Sequence, residues 1–340
     1  MGAQVSLGIV AAKGDIVTEI LRCMEKTKFP VYDMFIYSDE KTFIGEVKDT
    51  PCGKKKVKEF SVDAVSLNGC GIVIVSISDL FSERFCPLLA NLRIVVIDMS
   101  SSFRNDPRSP LIVPEVNGHI LGGIETGMII SSPNCTSAIA AIVLGPIAEQ
   151  YGLRSVIISS YQAASGRGER GIQQLRQELA SQPVTDKVFA HTLLCNVIPL
   201  IDTVVDNDYS LEEMKLSWEL QKIFRDEKVT VSATCVRVPT ERAHAMSITI
   251  ETRRPVKAAD VRHLLKTSAG ISLMDEPKKD IYPMPINATE QLDVCVGRIR
   301  QSLVFKEKGI DLFVCGDQML RGGALNAVNI AHRLVIENRK

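Results

Sequence analysis

Cys135 stands in Ser131-Ser132-Pro133-Asn134-Cys135-Thr136-Ser137, directly ahead of the apolar run Ala138-Ile139-Ala140-Ala141-Ile142-Val143-Leu144. The pattern predicts a turn, a polar helix start and a helix apolar nearly all round, hence buried. A thiol in the first turn of a helix faces unpaired backbone N–H groups and the positive end of the helix dipole. Both favour the thiolate, the form that attacks carbon. The plainer reading is that Cys135 is one buried small hydrophobe among nine cysteines. Three further segments carry chemistry. Ser159-Ser160-Tyr161-Gln162-Ala163-Ala164-Ser165-Gly166-Arg167-Gly168 brings Gln162 to a strand end before a Gly-rich turn. An amide there can orient a carbonyl or a water, although a simple strand-to-helix turn explains the same residues. In Thr234-Cys235-Val236-Arg237-Val238-Pro239, Arg237 projects from a strand on the face opposite Val236 and Val238. A guanidinium on a rigid strand suits a bidentate grip on a carboxylate. His244 follows seven residues later, where the next strand starts. A thiol and its base usually lie far apart in sequence, and spacing alone does not place these two together. In Leu211-Glu212-Glu213-Met214-Lys215, Glu212 and Lys215 share one helix face, as do Glu219 and Lys222 beyond them. A surface ion pair is the plain alternative.

These residues need a scaffold. The first 130 or so residues alternate strand and helix signals: Val5 to Val10, a helical spacing from Ile16 to Met24, then Val31 to Tyr37, Gly71 to Ile77 and Leu92 to Met99. The near-continuous apolar run in the last of these is that of a parallel strand covered on both faces. Such alternation predicts an α/β, Rossmann-like doubly wound domain. From Arg154 onward the strands alternate more and stand further apart, as in a mixed α+β catalytic and dimerisation domain. The amphipathic stretch from about Ala324 to Glu337 is expected to return to the first domain. The boundaries drawn are 1–133 plus 318–340 for the dinucleotide-binding domain and 134–317 for the catalytic and dimerisation domain.

Composition narrows the function. The chain has 340 residues, with 40 basic and 40 acidic side chains and a formal net charge of zero. Nothing resembles a polybasic nucleic-acid or membrane surface. No apolar run approaches a bilayer span. Met1 to Val10 lacks the basic and apolar regions of a secretory signal. The cysteines are scattered, odd in number and never spaced as CxxC. That argues against a metal site and a disulfide framework, and it suits a cytoplasmic location.

Several segments in one order carry a resemblance: Val113-Pro114-Glu115-Val116-Asn117, Pro133-Asn134-Cys135-Thr136, Tyr161-Gln162-Ala163-Ala164-Ser165-Gly166, Asn196-Val197-Ile198-Pro199, Cys235-Val236-Arg237-Val238-Pro239, Gly297-Arg298-Ile299-Arg300 and Gly323-Ala324-Leu325-Asn326-Ala327-Val328. Together they resemble the aspartate-semialdehyde dehydrogenase family, from about Asp98 to the C-terminus. The resemblance implies NADP-dependent reductive dephosphorylation of 4-phospho-L-aspartate to L-aspartate 4-semialdehyde, a step in lysine, methionine, threonine and diaminopimelate biosynthesis. It implies Cys135 as nucleophile, His244 as acid/base and Gln162 as the residue orienting the bound intermediate. Arg237 would grip the α-carboxylate, Glu212 would face the amine, Lys215 and Arg104 would bind phosphate, and Asn134 would flank the thiol. It further implies a homodimer or dimer of dimers.

The departures gather where the cofactor would bind. The family's Gly-rich first turn, of the type GATGAVG, becomes Ala11-Ala12-Lys13-Gly14-Asp15-Ile16-Val17, so only the middle glycine is kept. In such a turn the glycines permit tight turning, backbone approach to pyrophosphate and helix packing. Ser38-Asp39-Glu40-Lys41-Thr42 stands where the family has an arginine for the 2′-phosphate; Asp39 and Glu40 disfavour that phosphate, and Lys41 supplies one cation. Asp317-Gln318-Met319-Leu320-Arg321-Gly322 loses one of two basic residues. By this alignment Lys13, Gly14, Ser38, Gly166 and Gln318 are the cofactor residues, for NADP with NAD left open. Two readings stand: a divergent active enzyme, and a cofactor-deficient paralogue acting as a regulatory or assembly subunit or as an acyl-phosphate hydrolase. Intact Cys135, Gln162, Glu212, Lys215, Arg237 and His244 favour the first, because disuse would erode costly buried charges as readily as glycines. A reductase of another amino-acid phosphate is a lesser option.

Overall fold

The computed structural model describes residues 5–337. Residues 1–4, within the stretch read for a secretory signal, and 338–340, within the first domain as drawn, lie outside the described residues. The chain divides into two compact units, Met1–Pro133 with Gly323–Lys340, and Asn134–Gly322. Residues 318–322 therefore group with the second unit, not with the first as drawn from sequence.

The first unit is built on six parallel strands in the order β5-β2-β1-β6-β7-β8. They are β1 (Val5–Ala11), β2 (Val31–Ser38), β5 (Lys58–Glu59), β6 (Ile72–Ser76), β7 (Val95–Asp98) and β8 (Ile129–Ser131); β3 (Val47–Thr50) and β4 (Gly53–Lys56) form a separate hairpin. All four residues of β7 are buried, the signature of a strand covered on both faces. The order reverses between β1 and β6, the switch point at which dinucleotides bind in such sheets. Around the sheet lie α1 (Asp15–Lys26), α2 (Val62–Leu67), α3 (Asp79–Asn91) and the short α4 (Pro114–Asn117). The C-terminal helix Leu325–Glu337 packs on α1 in this same unit, as its apolar stripe requires. Two of the sequence motifs are internal braces. Asn117 holds its own turn, accepting from the Val113 N–H at 2.9 Å and donating to the Leu111 carbonyl at 2.8 Å. Asn326 donates to the Ile112 carbonyl and to Ser132 Oγ at 3.0 and 2.8 Å.

The second unit carries a mixed sheet in the order β10-β9-β11-β14-β13-β12. Its strands are β9 (Leu153–Gln162), β10 (Thr230–Arg237), β11 (His244–Thr252), β12 (Ile271–Leu273), β13 (Val294–Gln301) and β14 (Gly309–Gly316). Its helices are α5 (Cys135–Tyr151), α6 (Gly168–Leu179), α7 (Leu211–Phe224), α8 (Ala258–Thr267) and α9 (Pro285–Ala288). Residues 136–145 of α5 are all buried, as the all-round apolar pattern predicts, and α5 packs against α7, α8 and the sheet. Register aligns three strand ends. β9 and β10 run parallel with Gln162 beside Arg237, the last residue of each. β11 runs antiparallel to β9 with Ala245 opposite Tyr161, so His244, its first residue, arrives at the same edge.

Candidate active site

Cys135 is the first residue of α5, and Asn134 is its N-cap. The Asn134 side chain accepts from the Thr136 N–H at 2.9 Å, satisfying one of the helix's open donors. The remaining polar groups of Asn134 reach into α7. Its backbone N–H donates to Glu219 Oε2 at 2.7 Å, and its side-chain amide donates to both oxygens of Glu212 at 3.1 Å. Gln162 Nε2 reaches the same carboxylate at 3.3 Å and Thr136 Oγ1 at 3.1 Å. Lys215 Nζ lies 3.5 Å from Glu212 Oε2 and 2.9 Å from Asp202 Oδ2. Glu212 thus gathers Asn134, Gln162 and Lys215 around the residue next to the thiol. The i, i+3 pair foreseen on α7 is real, and it is part of a larger buried cluster.

α7 owes its position to a capping box. The Ser210 side chain accepts from the Glu213 N–H, and the Glu213 side chain accepts from the Ser210 N–H. Glu213 Oε1 also accepts from the Cys235 N–H at 2.9 Å, fastening α7 to β10 near Arg237.

Arg237 is 3% exposed. Its Nη1 donates to the Ala163 carbonyl at 2.6 Å, and its Cζ sits 5.7 Å from the centre of the Phe189 ring. No carboxylate lies within ion-pair distance of it among the described residues. Burial lowers its pKa to about 10, so it remains a cation at neutral pH. A buried cation without a counter-ion is costly, and a ligand carboxylate is the natural remedy. The Asn196-Val197-Ile198-Pro199 motif finds its reason here: Ile198 and Arg237 exchange two backbone hydrogen bonds, at 2.8 and 3.0 Å.

His244 is fully buried. Its Nδ1 accepts from the Ala163 N–H at 3.1 Å, which puts the ring proton on Nε2. Nε2 has no partner among the described residues. Burial, then the charge of Arg237, hold the imidazole well below its ordinary pKa, so the neutral ring is the resting form. Gly166 separates the two: a Cβ there would lie 2.5 Å from Arg237 Nη1 and 3.4 Å from His244 Cε1. Gly322 backs directly onto Cys135, since its Cβ would fall 2.6 Å from the Cβ of Cys135. Gln318, read from sequence as a cofactor residue, has both ends of its amide committed. It accepts from the Ala243 N–H at 3.0 Å and donates to Ser165 Oγ, bracing the entry to His244. Neither Gly166 nor Gln318 offers a free side-chain polar group to a cofactor.

The other candidates lie in the first unit. Arg104 donates to the carbonyls of Ser132 and Met99 at 3.0 and 2.9 Å. Gly14 is the N-cap of α1 and no side chain caps that helix, so its first-turn N–H groups are open to an anion. A Cβ on Gly14 would meet nothing within 4 Å. Val17, where the family has its third glycine, is fully buried within the core. The turn thus fits a pyrophosphate despite the lost glycines. Lys13 Nζ lies 2.7 Å from Glu46 Oε1 and 3.4 Å from the Thr42 carbonyl, and Ser38 Oγ accepts from the Glu40 N–H at 3.1 Å. Among the described residues no cluster of three or more His, Cys, Asp or Glu could hold a metal, and no helix is long and apolar enough to cross a membrane.

Sequence reasoning paired Glu219 with Lys222 rather than with Asn134, and missed Glu213 and Asp202. Glu219 and Glu213 had signals. Glu219 follows Glu212 at i+7 on one face of α7, and Ser210 with Glu213 has the capping-box spacing. Asp202 sits in a loop and had none.

A parallel nucleotide-type sheet paired with a mixed-sheet unit that carries Cys, His, Gln and Arg defines a semialdehyde dehydrogenase. Residues 6–123 match the semialdehyde dehydrogenase NAD binding domain, and residues 144–321 match the semialdehyde dehydrogenase dimerisation domain. The first match carries the likeness into the first 90 residues, where the sequence motifs were few. The aspartate-semialdehyde dehydrogenase of Aquifex aeolicus is 37% identical over 99% of each chain, and that of Bacillus subtilis is 35% identical over 98%. The crystal structure of aspartate semialdehyde dehydrogenase II from Vibrio cholerae complexed with ASA superposes with a TM-score of 0.91 at 32% identity, covering 98% of this chain and 99% of that one. This chain belongs to the aspartate-semialdehyde dehydrogenase family.

Proposed function

We propose that this chain catalyses the NADP-dependent reductive dephosphorylation of 4-phospho-L-aspartate to L-aspartate 4-semialdehyde, through a thioacyl intermediate on Cys135. The observation that carries the reading is Arg237, a buried cation with no carboxylate at ion-pair distance among the described residues, at one strand edge with Gln162 and His244. A small substrate bearing a carboxylate supplies the missing charge.

In this reading the sulfur of Cys135, at the dipole-positive start of α5, attacks the acyl carbon. A C–S bond forms, the bond from carbon to the phosphate oxygen breaks, and phosphate leaves with the electron pair. Lys215 and Arg104 receive the phosphate. Asn134 and Gln162, both tied to Glu212, keep the thiol turn and the acyl carbonyl in place, and Glu212 keeps acceptor capacity for the substrate ammonium. When bound, the reduced nicotinamide supplies the hydride that converts the thioester carbonyl to a thiohemiacetal. His244, with its proton on Nε2, donates a hydrogen bond to the oxyanion left by hydride addition; the oxyanion re-forms the carbonyl as the C–S bond breaks, the electron pair returns to sulfur and the aldehyde leaves.

Gly14 and the open start of α1 would hold the pyrophosphate, with Lys13 and Ser38 toward the ribose edge. This supports an active enzyme over the cofactor-deficient alternative; for NADP, Lys41 supplies a cation to the 2′-phosphate against the opposing charges of Asp39 and Glu40. The family to which the second unit belongs, together with the exposed apolar residues Ile157 and Tyr161 on β9, supports a homodimer. Nine cysteines, none joined in a disulfide among the described residues, suit a cytoplasmic setting.

The test is phosphate-dependent oxidation of aspartate semialdehyde, followed by nicotinamide absorbance. Cys135→Ser should abolish it while leaving NADPH affinity, read by nicotinamide fluorescence, nearly unchanged. Turnover that survives the substitution removes the thiol from the mechanism, and absence of binding by NADPH and NADH at millimolar concentration rejects the enzyme reading.

A further inference from the structure

Lys215 is held by a second carboxylate that the reaction scheme leaves without a role. Asp202 Oδ2 accepts from Nζ at 2.9 Å, closer than Glu212 at 3.5 Å. The Asp202 carboxylate is oriented by its own backbone, since Oδ1 accepts from the Thr203 N–H at 2.9 Å. That turn requires φ of +72° at Asp202, a left-handed conformation that Asp and Asn tolerate better than most residues. Asp202 also lines a cavity of about 420 Å³, whose wall includes Arg237, Arg167, Phe189 and His191. Burial is the largest single influence and raises its pKa, but the hydrogen bond and charge of Lys215, the Thr203 N–H and the charge of Arg167 together outweigh it and hold the carboxyl below the usual range. Asp202 is therefore an anion fixed beside the ammonium assigned to phosphate.

We propose that Asp202 is a positioning residue that sets phosphate affinity: it holds Lys215 in place and, by like-charge repulsion, keeps a phosphate on that ammonium bound weakly enough to leave. The inference rests on the reading of Lys215 as the phosphate cation. A phosphate hydrogen-bonded to Nζ brings its oxygens to about 5 Å from the carboxylate. At that spacing in a partly exposed site, like charges weaken binding on the order of tenfold. After acyl transfer the carboxylate recaptures the ammonium, and the product dissociates instead of accumulating.

The full chain is titrated calorimetrically with inorganic phosphate as wild type, Asp202→Asn, Asp202→Gly and Lys215→Met. Asn and Gly both accept the left-handed backbone, so neither strains the loop. Both are expected to bind phosphate about tenfold more tightly than wild type, with product inhibition by phosphate strengthened in parallel, a gain that structural damage does not produce. Lys215→Met should weaken phosphate binding. If Lys215→Met weakens binding while both Asp202 variants bind phosphate as wild type does or more weakly, the role of Asp202 is overturned. If Lys215→Met binds phosphate like wild type, the assignment of Lys215 falls first and the inference with it.

Discussion

Replacing Gly166 by alanine adds one methyl group at the closest contact between Arg237 and the strand-end turn. The new Cβ would lie 2.5 Å from Arg237 Nη1, 3.4 Å from Cζ and 3.4 Å from His244 Cε1. The two 3.4 Å contacts are ordinary or slightly tight. The 2.5 Å contact is not, and Nη1 must withdraw by about 1 Å to reach normal packing distance. That displacement breaks the 2.6 Å hydrogen bond to the Ala163 carbonyl. A hydrogen bond from a charged donor is worth about 1.5–3 kcal/mol. The loss translates to a fall of roughly 10- to 150-fold in kcat/KM. Because Arg237 is assigned to the α-carboxylate, a group that does not react, most of the fall should appear as a raised KM for aspartate semialdehyde, with kcat less affected. The backbone at 166 is not in the left-handed region, so alanine brings no dihedral strain and the fold should survive. Steady-state kinetics in the phosphorylating direction give the split, and a thermal melt checks the fold. A variant with kcat/KM within twofold of wild type and an intact melt would refute the placement of Arg237 against the substrate.

The remaining predictions concern buried groups. Glu219→Leu strands the Asn134 N–H, which now donates to it at 2.7 Å, and should cost about 1–3 kcal/mol in urea unfolding along with most turnover. Glu219→Gln keeps an acceptor and should recover much of both; equal damage from the two would sink the hydrogen-bond argument. For His244 the folded pKa is depressed below the ordinary 6.5, so the unfolded chain takes up the proton first as pH falls. Its contribution to stability is complete above pH 6.5 and is lost below it, down to the folded pKa, at about 1.4 kcal/mol per pH unit. Denaturant midpoints of His244→Gln should be flatter than wild type between pH 6.5 and 5, and parallel curves would show that the imidazole does not titrate with folding.

Local pattern made much of this protein legible. The all-round apolar run after Cys135 implied a buried helix with a thiol at its start, because no amphipathic packing satisfies such a run. The β7 sequence implied a doubly covered parallel strand for the same reason. The alternation in Thr234–Val238 put Arg237 on the face opposite Val236, and the structure shows that face of β10 to be the buried one. The amphipathic C-terminal helix called for packing on one face, and its place after a strong strand and a Gly-rich turn pointed back to the first unit. By contrast, the loss of two glycines in the first turn read as damage to the cofactor site. The structure accommodates Ala11 and Val17 in the core and leaves the start of α1 uncapped, because open space over a turn depends on the chain's path and not on glycine alone.

What the sequence by itself determined is the set of reactive residue types and the element on which each is carried, because periodicity and capping act over a few residues. Only the tertiary structure decided which charges meet. Glu212 gathers Asn134 and Gln162, separated from it by 78 and 50 residues, and Asp202 rather than Glu212 makes the shorter bond to Lys215. It also left Arg237 buried with no carboxylate at ion-pair distance among the described residues and gave His244 its neutral, Nε2-protonated form. Electrostatic partnership is set by distance and desolvation in space, and strand register, not spacing along the chain, sets both.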